Sequence, residues 1–265
     1  MNLDGTSVLL TGATGGLGRA IGAALASRGA TVILNSRKEA ELHQLAASLP
    51  GHGHRVTVSD LADDGSALAL VEAAGDVDVL VANAALPGTG RLEEYSHAEI
   101  DRVLRINLDS PIRMARELLP QFLKRGSGQL VFVSSLSGKI SAPRSSLYAA
   151  TKFGLRGFAF CLRDDLRGTG IGVSVVSPGF IRGAGMFADS GAPPPPGLGT
   201  ATPKEVGAAV IKAVERNLRE VTVAPARQRL CAWLAVKAPE LCGRLVGSTA
   251  SRAADRIAAG QKGKR

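Results

Sequence analysis

The chain is poor in the residues that build metal centres, disulfide frameworks and membrane spans. It holds three cysteines and four histidines in 265 residues. Cys161, Cys231 and Cys242 are odd in number and lack the paired spacing of metal ligands, so they read as reduced thiols. Three of the histidines fall loosely between His43 and His54, an arrangement that suits a solvated loop, and no metal is expected. No run of roughly 18 apolar residues occurs, which excludes a spanning helix. The first strand-like run begins within a few residues of Met1, leaving no room for a signal peptide, so the expected compartment is the cytoplasm. No internal repeat is evident. Tyrosine is scarce as well, with two copies against nine lysines.

What is present alternates. Short apolar runs at 7–10, 31–35, 54–59, 77–82, 129–134, 172–177 and 221–224 read as strands separated by helical stretches. An apolar share of 45% in a chain of this length suits one globular domain with a large core. The alternation predicts an α/β fold, a doubly wound parallel sheet of Rossmann-like type over residues 1–225, with a C-terminal helical extension over 226–265. In such a sheet the strand ends and crossover loops converge on one crevice, so residues far apart in sequence can meet there.

Two clusters carry chemistry. The first is Thr11-Gly12-Ala13-Thr14-Gly15-Gly16-Leu17-Gly18, placed between the apolar run Ser7 to Leu10 and a helical stretch from Arg19 to Arg28. There Gly12 takes a tight turn, Gly16 lets backbone approach a pyrophosphate, and Gly18 lets helix and strand pack closely. A helix start offers unpaired N–H groups and a positive dipole end to phosphates. The second cluster is Tyr148 and Lys152, four residues apart and thirteen after Ser135. With so few tyrosines, a lysine four residues after one arises by chance with a frequency of about 0.07, so the spacing alone is a weak motif and its context carries the weight.

A free phenol titrates near pH 10 and is a poor proton carrier at neutrality. An ammonium one helical turn away shares its face and favours the phenolate, bringing Tyr148 toward the working range as a general acid for carbonyl reduction or base for alcohol oxidation. Ser135 would hydrogen-bond the reacting oxygen where negative charge develops. The cofactor is read from the end of the second strand. Enzymes that prefer NAD place a carboxylate there for the ribose 2′-hydroxyl. This chain has Ser36 and Arg37, which suit a 2′-phosphate, so NADP(H) is expected in place of NAD(H).

With these motifs in this order, the chain resembles the short-chain dehydrogenase/reductase family from about residue 5 to residue 225. The spacing Thr-Gly-x-x-x-Gly-x-Gly is that family's, and it marks Gly12, Thr14, Gly16, Leu17 and Gly18 as cofactor-binding positions. Asp60-Leu61 follows the third strand, where the resemblance implies contact with the adenine. Asn83, in Val81-Ala82-Asn83-Ala84-Ala85, matches the second Asn of the family's Asn-Asn-Ala-Gly, although both outer positions differ. The resemblance implies a catalytic set of Asn107, Ser135, Tyr148 and Lys152. It gives Lys152 a bond to the nicotinamide ribose and Asn107 a bound water in a proton relay. Pro178, Gly179 and Ile181 match the loop that holds the nicotinamide, and Gly183 replaces the threonine common two residues after that isoleucine.

The proline-rich stretch at 183–202 reads as a lid, with Met186 and Phe187 as candidate substrate contacts. Thr202-Pro203-Lys204-Glu205 signals a capped helix start. From Ala226 to Arg265 stand nine basic residues and two acidic ones, which is seven of the nine net positive charges. Leu230, Trp233, Leu234, Leu241, Leu245 and Val246 can line apolar faces of short helices broken at Pro239. Such a tail can lie on an anionic membrane, on a neighbouring subunit or on its own core. No nucleic-acid motif accompanies the charge.

The expected activity is NADP(H)-dependent interconversion of a ketone or aldehyde and an alcohol, on a small-molecule substrate. Two alternatives are a non-catalytic NADP(H)-binding regulator or scaffold, and a peripheral membrane adaptor built on the tail. The resemblance further implies a homodimer or homotetramer pairing through long helices near 91–125 and 146–168.

Overall fold

The computed structural model describes residues 1–194, 197–238, 240 and 254–261. Its elements run β1 (Ser7–Thr11), α1 (Gly16–Ala26), β2 (Thr31–Ser36), α2 (Glu39–Ser48), β3 (Arg55–Val58), α3 (Ser66–Ala74), β4 (Val79–Ala82), α4 (His97–Leu104), α5 (Ser110–Arg125), β5 (Gly128–Val133), α6 (Ser146–Asp165), β6 (Ile171–Pro178), α7 (Pro203–Glu215), β7 (Glu220–Val223) and α8 (Ala226–Lys237). All seven expected strands form within two residues of their sequence positions at either end. They make one parallel sheet in the order β3-β2-β1-β4-β5-β6-β7. The order reverses between β1 and β4, which opens the crevice where this architecture binds ligands.

Alternate strand residues build two cores. Val8, Leu10, Val32 and Leu34 pack with Ile21 and Leu25 of α1, Leu42 of α2 and Val210 of α7 on one face. Leu9, Ile33, Leu80 and Phe132 pack with Leu70 of α3, Met114 and Leu118 of α5 and Leu155 of α6 on the other. Period-two alternation sends successive side chains to opposite faces, and both faces are covered, so the strands read as continuous apolar runs.

Helix starts differ from the sequence reading where backbone geometry overrides side-chain pattern. The first helix begins at Gly16 and not near Arg19, so Gly16 and Gly18 lie in its first turn. The stretch 91–125 is not one helix. A 3₁₀ turn at Leu92–Glu94 precedes α4, and a π turn at Arg105–Asp109 joins α4 to α5. The capping box at Thr202 and Glu205 forms as expected. Pro239, Leu241, Cys242, Leu245 and Val246 lie outside the described residues.

Candidate active site

The glycine loop leaves the C-terminal end of β1. Gly12 adopts φ +65°, and a Cβ there would press on the Ala84 backbone at 2.8 Å. A Cβ on Gly18 would collide with the Gly12 and Ala13 carbonyls, so only glycine lets α1 close on the loop. Gly16 has a further neighbour. Its close approach in this structure is to Ala184 and Gly185 of the lid, which lies directly over the loop. The first turn of α1 carries no acidic side chain, leaving its positive dipole end unneutralised.

Asn83 fastens this loop from the next strand. Its amide donates to the Thr11 and Gly12 carbonyls at 3.1 and 3.2 Å, while Thr11 Oγ1 accepts from the Asn83 and Ala84 N–H groups at 3.1 Å each. At the end of β2, the half-buried Ser36 accepts from Lys38 N at 3.1 Å. Arg37 is exposed and pairs with Asp60 at 3.3 Å, a carboxylate that Arg102 also holds at 2.8 Å. Burial acts to raise the Asp60 pKa, but the Ala62 N–H and the two guanidinium groups outweigh it and hold the carboxyl below its usual range. Leu61 is buried beside it, and its carbonyl accepts from Ser110 Oγ at 2.8 Å.

The second cluster sits across the crevice on α6 and the turn after β5. Lys152 is 2% exposed, and its Nζ donates to the Val133 carbonyl at 3.1 Å. It lies 5.6 Å from the centre of the Tyr148 ring. Ser135 lies at the start of a 3₁₀ turn, beside Tyr148. Asn107 stands fully buried in the π turn. Its Oδ1 accepts from Leu86 N at 2.7 Å and its Nδ2 donates to Leu86 O at 2.9 Å and to Thr151 Oγ1 at 3.4 Å.

The electrostatics correct one expectation. Lys152 was expected to bring the phenol toward neutral pH, but burial pushes Tyr148 up to about 12, and hydrogen bonding from Ser135 pulls the other way without overcoming it. Burial also pushes Lys152 down to about 8. Desolvation disfavours the charged form of each group.

This arrangement of glycine loop, asparagines, serine, tyrosine and lysine can be set beside known proteins. Residues 6–194 match the family model described as short chain dehydrogenase. The chain belongs to the short-chain dehydrogenase family. It is 38% identical over 227 residues to the ketoacyl reductase HetN of Nostoc sp., covering 83% of this chain and 79% of that protein. It is 32% identical over 264 residues to dehydrogenase/reductase SDR family member 7B of Bos taurus, covering 92% and 81%. A solved short-chain dehydrogenase from Streptomyces avermitilis superposes with a TM-score of 0.76 at 27% identity, covering 93% of this chain and 98% of that one. Short-chain dehydrogenases are NAD(P)(H)-dependent oxidoreductases acting between carbonyl and alcohol, and this one is an oxidoreductase of that kind.

The residues present fit a dinucleotide. A side chain at Gly12, Gly16 or Gly18 would collide with its neighbours, and the buried Lys152 has no carboxylate beside it among the described residues. In this dehydrogenase β6 ends at Pro178, and the loop beyond it carries Gly179 and the buried Ile181, which pairs with Ala201 and so closes the base of the lid. Gly183, where the family commonly has threonine, has φ +81°, a conformation that β-branched residues avoid. Met186 and Phe187 are half-buried, and the Phe187 ring packs on Phe180 with centroids 4.7 Å apart.

Several supporting residues escaped the sequence reading. Gly88 accepts from Tyr148 N at 3.3 Å, and a Cβ on it would sit 2.9 Å from that nitrogen. Ser134 Oγ donates to the Lys152 carbonyl at 3.1 Å, and Thr151 Oγ1 to the Tyr148 carbonyl at 2.8 Å. Gln228 of α8 reaches the loop after β6. None carries a motif, because each is recognised only by what the fold brings against it. Among the described residues no cluster of His, Cys, Asp and Glu could hold a metal, and no helix is long and apolar enough to cross a membrane.

Proposed function

We propose that this short-chain dehydrogenase is an NADP(H)-dependent reductase of ketones or aldehydes, with Tyr148 as the proton donor. The observation that carries the reading is the buried Lys152 lying 5.6 Å from the centre of the Tyr148 ring on α6, beside Ser135. NADPH, when bound, supplies the hydride. Tyr148 gives its proton to the carbonyl oxygen as negative charge develops there, and Ser135 donates a hydrogen bond to the same oxygen. Lys152 holds the nicotinamide ribose with the N–H groups that the Val133 carbonyl does not take. Asn107 uses its side chain on the Leu86 peptide, so any relay water is held by its main chain, within a π turn that breaks the regular helical ladder.

Gly12, Thr14, Gly16, Leu17 and Gly18 cradle the pyrophosphate, with Asn83 fixing the loop and Asp60 and Leu61 beside the adenine. Ser36 and Arg37 face the 2′-phosphate. Pro178, Gly179 and Ile181 back the nicotinamide. The printed name of the Nostoc relative, a ketoacyl reductase, favours β-ketoacyl thioesters as the first substrates to try.

The test is NADPH consumption over a panel of ketones, aldehydes and β-ketoacyl thioesters. Tyr148→Phe should lower kcat by about 10²- to 10⁴-fold while the protein still binds NADPH. An unchanged kcat in that variant would sink the reading.

A second reading concerns where the enzyme works. The outward face of α8 exposes Leu230, Trp233, Leu234 and Val236 together with Arg227, Arg229 and Lys237. That combination favours contact with an anionic membrane surface. Pairing of two copies through α5 and α6, where Leu123 and Phe153 are exposed, is the assembly we propose.

A further inference from the structure

The C-terminal extension contributes more than surface. Gln228, in the first turn of α8, is 3% exposed. Its Oε1 accepts from the Phe180 N–H at 3.2 Å. Its Nε2 donates to the Gly199 carbonyl at 2.7 Å and to the Leu198 carbonyl at 3.3 Å. One carboxamide thus ties the loop after β6 to the far end of the lid. A Cβ on Gly179 would collide with this Oε1, so that glycine is also the space into which Gln228 fits. Residues 254–261 hold the lid at its other end. Helical residues 254–261 place Gln261, whose Nε2 donates to the Met186 carbonyl at 3.0 Å. Gly260 packs so closely on Ser190 that a side chain there would collide with its carbonyl. Asp255 pairs with Arg144 at 2.7 Å, four residues before Tyr148.

We propose that Gln228 is a positioning residue for the reaction: it couples the nicotinamide loop to the substrate lid, so that the C-terminal extension sets how the lid closes. The inference rests on the oxidoreductase reading above for its kinetic consequences, but not for the clamp itself. A carboxamide is suited to the task because it accepts at one end and donates at the other. Replacing it with a carboxylate of the same shape keeps the acceptor for Phe180 N and turns both lid contacts into repulsion between oxygens.

The experiment uses the full chain carrying Gln228→Glu, Gln228→Met or Gln261→Leu. In Gln228→Glu the KM for the carbonyl substrate should rise about tenfold or more, with the KM for NADPH changed far less. The effect should reverse at acidic pH, where the introduced carboxyl is protonated and donates again. Gln228→Met, which loses both ends, should raise both KM values. A role in packing alone would not move with pH. Limited proteolysis reads the clamp without turnover: cleavage between residues 183 and 202 should speed up several-fold in Gln228→Glu. Should the Gln228 variants fail to fold, Gln261→Leu should still loosen the same lid from its other end. Unchanged lid cleavage in folded variants would overturn the clamp, even if no substrate had been found. Faster cleavage without any carbonyl turnover would keep the clamp and count against the oxidoreductase reading.

Discussion

At the scale of single residues, burial decides which groups hold protons. Lys152 is an ammonium below its depressed value of about 8 and neutral above it. Because kcat/KM reports the free enzyme, kcat/KM for NADPH should fall as pH rises through about 8, and Lys152→Met should remove that inflection. A profile flat across this range would show that Lys152 does not bind the cofactor in its charged form. Tyr148, pushed up to about 12, stays protonated throughout. Arg37 answers a different question. It is exposed, and its partner Asp60 already has Arg102, so its guanidinium can turn to a phosphate at small cost. Arg37→Ala should raise the KM for NADPH by about 10- to 100-fold, the worth of a charge-assisted hydrogen bond, and leave that for NADH nearly unchanged. Equal losses with both cofactors would remove the case for NADP(H).

At the scale of elements, the edge strand β7 is tied to α6 by charge. Glu220 pairs with Lys139 at 2.9 Å and with Arg156 at 3.1 Å, and accepts from Ser177 Oγ at 2.8 Å. Burial acts to raise its pKa, but these partners outweigh burial and hold it below the ordinary carboxylate range. A carboxyl whose folded pKa is depressed adds stability that is fully present above its unfolded value and lost as pH falls through the folded one. Wild-type Tm should therefore hold level from neutrality down to about pH 5 and drop as pH falls below about 4.5, and Glu220→Gln should be less stable at neutrality with a smaller acid dependence. Equal acid slopes in thermal melts would refute this. The strands were legible in the sequence because parallel strands covered on both faces are uninterrupted apolar runs. The π turn around Asn107 was not, since it arises from how α4 and α5 meet and leaves no mark on residue pattern. The start of α1 was misplaced by three residues for a related reason: glycines are poor helix formers, yet Gly16 and Gly18 are helical because nothing larger fits beneath the lid and against the loop.

For the molecule as a whole, the basic extension presents two different sides that composition could not separate. Its inner side carries Gln228 against the site, and its outer side exposes Trp233 and Leu234. A chain cut at residue 225 would remove both, so membrane contact is better tested with Trp233→Glu/Leu234→Glu in the full chain. Wild type should co-sediment with vesicles containing phosphatidylserine, and the double variant should remain in the supernatant with its NADPH binding intact. Co-sedimentation of both proteins would place the contact elsewhere.

The sequence by itself determined the strand order's raw material, the glycine loop and the identities of Asn107, Ser135, Tyr148 and Lys152, because local backbone demands and motif spacing are written in neighbouring residues. Tertiary structure alone decided that Lys152 is buried beside Tyr148 and that Arg37 rests on Asp60. It alone showed that Gln228, 48 residues from Phe180, clamps the loop and the lid. Desolvation and hydrogen bonding depend on which distant groups the fold packs together, and that packing is a property of the whole chain.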